Sequence, residues 1–191
     1  MGLLKYLCIH ATDTPPSMEV TRDLLEQWHK GPRDLDGGRV RYLGKNYPSR
    51  KALPNDLIGG VPISQLHGRG WDRLGYYAII HRDGEKEVLT PNNLDREITR
   101  DEMTWGAAGI NSQAIHIVLE GGKGPLMTFD YHFTREQEKT LLEFCRVMIL
   151  RPPVFIIGHN QVADKDCPGF IVYDWLMDHS IESWGCRKKR C

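Results

Sequence analysis

The chain has 191 residues, 40% of them apolar and 26% charged, with 25 basic residues balanced by 25 acidic ones. That length suits one domain with a core that stands without disulfides. The zero net charge gives no general attraction for nucleic acid, and no apolar run approaches the roughly 18 residues of a membrane span. A monomer is expected, with neither nucleic acid nor membrane as a partner.

Residues 5–10 (KYLCIH) form a short apolar run ending in a polar residue, which fits a buried strand that delivers His10 at its C-terminal end. After Pro15-Pro16, Val20, Leu24, Leu25 and Trp28 recur at helical spacing and predict an amphipathic helix over roughly 18–30. Residues 31–70 lose this periodicity. Turn signals (Gly37-Gly38, Pro48, Pro54, Gly59-Gly60) punctuate a basic stretch with Arg33, Arg39, Arg41, Lys45, Arg50 and Lys51. A stretch of that length without strong periodicity is usually functional or flexible, and it reads as an inserted loop or ribbon, not a second domain.

Residues 75–82 (GYYAIIHR) read as a strand, Asp83-Gly84 as a hairpin turn, and 87–89 as the returning strand. Residues 113–120 (QAIHIVLE) give another strand closed by Gly121-Gly122. Thr134 and Gln137 form a capping-box pair, opening a helix with Leu141, Leu142, Cys145, Met148 and Ile149 on one face and Pro152-Pro153 as its stop. Residues 154–158 (VFIIG) are a strand that again ends at a histidine, and a last helix over 171–179 packs through Val172, Trp175 and Leu176. Strands alternating with helices predict an α/β domain on one central, mixed sheet. The domain is expected over 1–180, with 181–191 as a basic tail.

Five cysteines, an odd number at irregular spacing, argue against a secreted disulfide framework. Cys8 and Cys145 sit in apolar runs and read as small core residues; Cys186 and Cys191 lie in the polar tail. The N-terminal run is too short for a signal peptide, so the expected location is the cytoplasm of the producing cell.

Catalytic zinc takes three protein ligands from His, Cys or carboxylate and keeps one position open. His10 and His159 each follow an apolar strand, a rigid place from which to project a ligand. Cys167 lies eight residues beyond His159, across a polar segment able to fold back. On spacing alone, a loop-edge His159 and a buried Cys167 thiol fit as well as a metal site.

The residues themselves carry a resemblance. GHNQVADKDCPGF (158–170) resembles the C-terminal motif of the zinc amidases that include the short phage amidases and the peptidoglycan recognition proteins. LCIHATDT (7–14) with QWHK (27–30), GWDRLGYYAIIHRDG (70–84) and RDEMTWGAAGINSQAIHIVLEGG (100–122) resemble that family's remaining blocks in order, most closely in its phage branch. The resemblance implies cleavage of the amide between N-acetylmuramic acid and L-alanine in peptidoglycan. It also implies a Zn2+ ion held by His10, His159 and Cys167, with Tyr76 and Lys165 as catalytic residues. The ion would make water nucleophilic at neutral pH, and the Lys165 ammonium and Tyr76 hydroxyl would serve the developing oxyanion and the leaving nitrogen. Strand alternation lets only one of Tyr76 and Tyr77 face the site, and the motif selects Tyr76.

Departures from the family pattern are Tyr77, often His there; His116, where a small residue is usual and which reads as a packed core histidine, with one that points at the site as the alternative; and the 31–70 insertion, either a candidate wall for the substrate or a solvated loop with no role. Trp105 matches the family's wall-binding Trp in part. The alternatives are a non-catalytic binding module on the same fold, a cysteine hydrolase using Cys167 with His159, and, among hydrolytic roles, an injected antibacterial effector in place of a phage lysis enzyme.

Overall fold

The computed structural model describes residues 2–150 and 154–181. Its principal elements in chain order are β1 (Tyr6–Ala11), α1 (Arg22–Lys30), β2 (Ala78–Ile80), β3 (Lys86–Val88), β4 (Ala114–Leu119), α2 (Arg135–Ile149), β5 (Phe155–Gly158) and α3 (Val172–Asp178). Pro152-Pro153, Cys186, Cys191 and the basic tail from Arg187 lie outside the described residues. No helix among the described residues is long and apolar enough to cross a membrane.

The chain divides into two compact units, Met1–Glu19 with Tyr76–Cys191, and Val20–Gly75. The first holds a five-stranded sheet in the order β5-β1-β4-β2-β3. The pairs β5–β1, β1–β4 and β4–β2 are parallel; β3 adds an antiparallel edge through the Asp83-Gly84 hairpin. The sheet is therefore mixed, and the fold class is α/β.

Alternation along the strands sorts the residues by face. Leu7, Ile9, Ala11, Ile115, Ile117, Leu119, Ala78, Ile80 and Ile156 join one buried cluster with Leu141, Phe144, Cys145 and Met148 of α2 and Val172, Trp175 and Leu176 of α3. The helices thus cover one face. Cys8 and Ile157 point the other way and form a separate small cluster with Ala107.

Helix α2 begins with both reciprocal bonds of a capping box between Thr134 and Gln137. Gln137, fully buried, also spends its side-chain amide on the carbonyls of Ile80 (3.0 Å) and Glu120 (2.9 Å), where β2 and β4 end. One residue thereby satisfies a helix start and two strand ends.

The second unit contains α1, which is capped by the Thr21 hydroxyl on the Leu24 amide and begins four residues later than the periodicity suggests. The 31–70 stretch within it carries more regular structure than its composition indicates. Three short antiparallel strands (Arg33–Asp34, Val40–Tyr42, Lys45–Tyr47) and a two-stranded pair (Leu57–Ile58, Val61–Pro62) surround a cluster of Val40, Tyr42, Leu53, Ile58 and Ile63. Gly70 sits at φ +66°, and a Cβ there would lie 2.4 Å from the Arg41 carbonyl oxygen, so only glycine permits this approach. The bunched basic residues flank buried alternates: Arg41, for example, is exposed between Val40 and Tyr42, both buried.

Candidate metal centre

β1 and β5 are neighbours, paired in register up to Ile9 and Gly158. His10 is the next residue of β1 and His159 the first residue of the turn after β5, and their rings lie with centroids 4.5 Å apart. A Cβ on Gly158 would lie 2.5 Å from Asn160 Oδ1, so any larger residue there would have to displace the Asn160 side chain. Past His159 the chain turns tightly. The Val162 and Ala163 amides donate to the His159 carbonyl, and the Asn160 amide donates to the Cys167 carbonyl at 2.7 Å. The polar segment thus folds back and returns Cys167 to the strand end.

The donor atoms of His10, His159 and Cys167 all lie within 4.8 Å of one another. A tetrahedral zinc ion with sulfur at about 2.3 Å and nitrogen at about 2.05 Å places those two donors about 3.6 Å apart. Cys167 Sγ and His10 Nδ1 are 3.8 Å apart, so the donor set fits zinc in kind and in spacing.

The environment of the sulfur sharpens this fit. Burial pushes the Cys167 thiol up to about 11, although the Ala11 amide, donating to Sγ at 3.3 Å, and the Lys165 charge both pull it down. A thiol raised this far is a poor nucleophile at neutral pH unless a cation takes the proton's place. Cys167 also stands several residues before α3, not at its first turn. Both facts weigh against a cysteine hydrolase.

Tyr76 is half-buried with its ring 5.2 Å from that of His10. Tyr77 turns to the opposite face, buried against Phe144. Lys165 is exposed, near enough for its charge to act on Cys167. Trp105 is half-buried. The edge of the site is tied down by Thr12: its hydroxyl accepts the Gly121 amide (2.9 Å) and pairs with that of Thr14 (2.7 Å), joining the ends of β1 and β4.

His116 is both a core residue and a neighbour of the site. It is fully buried, and its Nδ1 lies 2.9 Å from His10 Nε2. Burial, with the His159 charge adding to it, drives its pKa down to about 3, so the ring is neutral. Cys8 has its donor atom within the same spacing of His10 and His116. The signal for this cluster was present as Cys8-x-His10, two residues apart and hence on one strand face. The register of β4 against β1, which sets His116 opposite Cys8, was not legible from spacing.

An α/β sheet that brings two imidazoles and a thiol together beside adjoining strands offers a donor group that could hold a metal ion. A family profile described as N-acetylmuramoyl-L-alanine amidase matches residues 3–170. The chain belongs to that family and is an N-acetylmuramoyl-L-alanine amidase. The endolysin of Escherichia phage T7 is 32% identical over 132 residues, covering 67% of this chain and 81% of that one. The endolysin of Klebsiella phage KP32 is 27% identical over 128 residues, covering 65% and 78%. Among solved structures, the amidase LysC of Clostridium intestinale superposes with TM-score 0.58 at 17% identity, over 94% of this chain and 87% of that one. A Drosophila PGRP-LB complex with tracheal cytotoxin gives TM-score 0.55 at 16% identity, over 94% and 83%. These structural likenesses speak for the fold.

Proposed function

We propose that the chain is a zinc-dependent, phage-type lytic amidase in which His10, His159 and Cys167 hold the ion and Tyr76 and Lys165 are the catalytic residues. The carrying observation is the mutual approach of the three donor atoms, within 4.8 Å, at adjoining strand ends. The amidase domain is assigned to residues 1–180, including 31–70, and the protein acts as a monomer on the wall after release.

When bound, the ion supplies Lewis acidity that makes a water nucleophilic at neutral pH. The chain's residues do the rest. His10 and His159 contribute neutral imidazoles, and Cys167, helped by the Ala11 amide, contributes a thiolate. Tyr76, beside His10, offers a hydroxyl that orients the attacking water or gives a proton to the leaving nitrogen of L-alanine. Lys165 sets a positive charge beside the carbonyl oxygen as it becomes an oxyanion. The substrate is a muramyl peptide, a reading supported by the phage endolysins among the relatives and by the neighbour in complex with tracheal cytotoxin.

The test is digestion of purified peptidoglycan with and without a chelator, read by mass spectrometry for free stem peptides beginning at L-alanine. Their appearance, loss on chelation and return with zinc are the expected result. Binding of muropeptides without cleavage by zinc-loaded protein would make the chain a recognition module.

A further inference from the structure

We propose that His116 is a positioning residue for the metal ligand His10: its Nδ1 accepts the Nε2–H of His10, fixing that ring's orientation and tautomer. This inference rests on the zinc reading above.

His10 has two distinct sides. Its Nδ1 lies toward Cys167, 3.8 Å from Sγ, and its Nε2 lies 2.9 Å from His116 Nδ1. A neutral imidazole carries one donor and one acceptor nitrogen. Ligation through Nδ1 requires a lone pair there, so the His10 proton must sit on Nε2 and the hydrogen bond can run only toward His116. That direction puts the proton of His116 on its own Nε2, which is buried and has no hydrogen-bond partner among the described residues. A buried orphan donor is unfavourable and uncommon. Here it is what the tautomer of His10 requires.

The position of His116 is set by the sheet. It lies on β4 between Ile115 and Ile117, both in the core, and pairs in register with Cys8 of β1, two residues before His10. The outer partner of a metal-bound histidine is commonly a carboxylate, a backbone carbonyl or water. An imidazole orients the ligand without adding negative charge. Two neutral histidines and one thiolate leave a divalent ion a net positive charge, which sustains its pull on water. A carboxylate at position 116 would cancel that remainder.

The same atoms admit a rival assignment. Cys8, His10 and His116 could hold a second ion, but all three are closed to solvent, and His10 Nε2 cannot both donate to His116 and ligate.

The experiment uses the full chain and its His116→Ala, His116→Asn and Cys8→Ala variants. Metal equivalents are counted, zinc affinity is read by competition with a chromophoric chelator, cobalt-loaded samples are read by visible absorption, and metal-free samples by thermal unfolding. The wild type is expected to bind one equivalent. His116→Ala should bind zinc about 10- to 100-fold more weakly and shift the cobalt d–d bands while keeping the thiolate charge-transfer band. His116→Asn, whose Oδ1 can replace Nδ1 as acceptor, should recover most of the affinity. Cys8→Ala should lower metal-free stability and leave affinity little changed. Wild-type affinity in His116→Ala overturns the inference alone. So does an asparagine variant no better than alanine, with affinity following metal-free stability. A second equivalent lost in Cys8→Ala replaces the inference with a two-metal cluster. A wild type that binds no metal overturns the zinc reading and this inference together.

Discussion

Acidification should loosen the Val20–Gly75 unit through a single side chain. His29 is buried on α1, its ring stacked on Trp71 with centroids 5.2 Å apart and its Nδ1 accepting the Gly75 amide at 3.3 Å. Desolvation, with the charges of Arg69 and Lys30 added, lowers its pKa from 6.5 to about 4. A histidine depressed in the folded state is protonated first in the unfolded state, so stability is intact above about pH 6.5 and is lost as pH falls toward 4. Between pH 7.5 and 4.5 the loss is about 2.5 kcal/mol, a roughly 70-fold change in the opening equilibrium. Hydrogen exchange of the amides of 22–31, corrected for intrinsic rates, reads this opening directly. The wild type should lose that protection over this interval, and His29→Gln should lose far less. Equal losses in the two proteins would refute the assignment to His29 and place the acid sensitivity elsewhere.

Lys165→Ala and Tyr76→Phe should each lower kcat by about 100- to 1,000-fold with zinc content unchanged; loss of metal in either would reassign that residue to the binding of the ion. Cys167→Ser should fold, as judged by circular dichroism, yet fail to retain zinc through dialysis, and retention would remove Cys167 from the ligand set. Gln137→Leu removes the side-chain donor to the Glu120 and Ile80 carbonyls, the second of which keeps the Glu120 amide, and should cost about 1–3 kcal/mol in urea unfolding. Leu141→Ala, at a fully buried site on α2, should cost about 2–5 kcal/mol, and a change below 1 kcal/mol would mean the helix packs more loosely than described.

The sheet was legible because its strands are short apolar runs bounded by turn residues. Phe155–Gly158 and Ala114–Leu119 lie within a residue of where the pattern puts them. The approach of His159 and Cys167 was legible only as a possibility of spacing, since a polar loop folds back or wanders according to backbone bonds such as that of Asn160 to Cys167. The regular structure within 31–70 was hidden for a physical reason. Strands of two or three residues are too short to show alternation, and the cluster around Ile63 is assembled from residues scattered across glycine turns. His116 stood out as a polar residue in an apolar run, but only the parallel register, which sets it opposite Cys8, places it beside His10.

The two histidines and the cysteine are held by different kinds of ruler. His10 and His159 follow Ile9 and Gly158, a pair held at the pitch of a hydrogen-bonded sheet, about 4.8 Å, which no change in a connecting loop can alter. Cys167 is placed by a nine-residue turn from His159 to Cys167, where a single insertion would carry the sulfur out of reach and leave the histidines where they are. The affinity for an ion held there would therefore be adjustable at one end only. Lengthening the 160–166 turn would convert the site in one step from three donors to two while leaving the sheet, its core and the strand-end histidines intact.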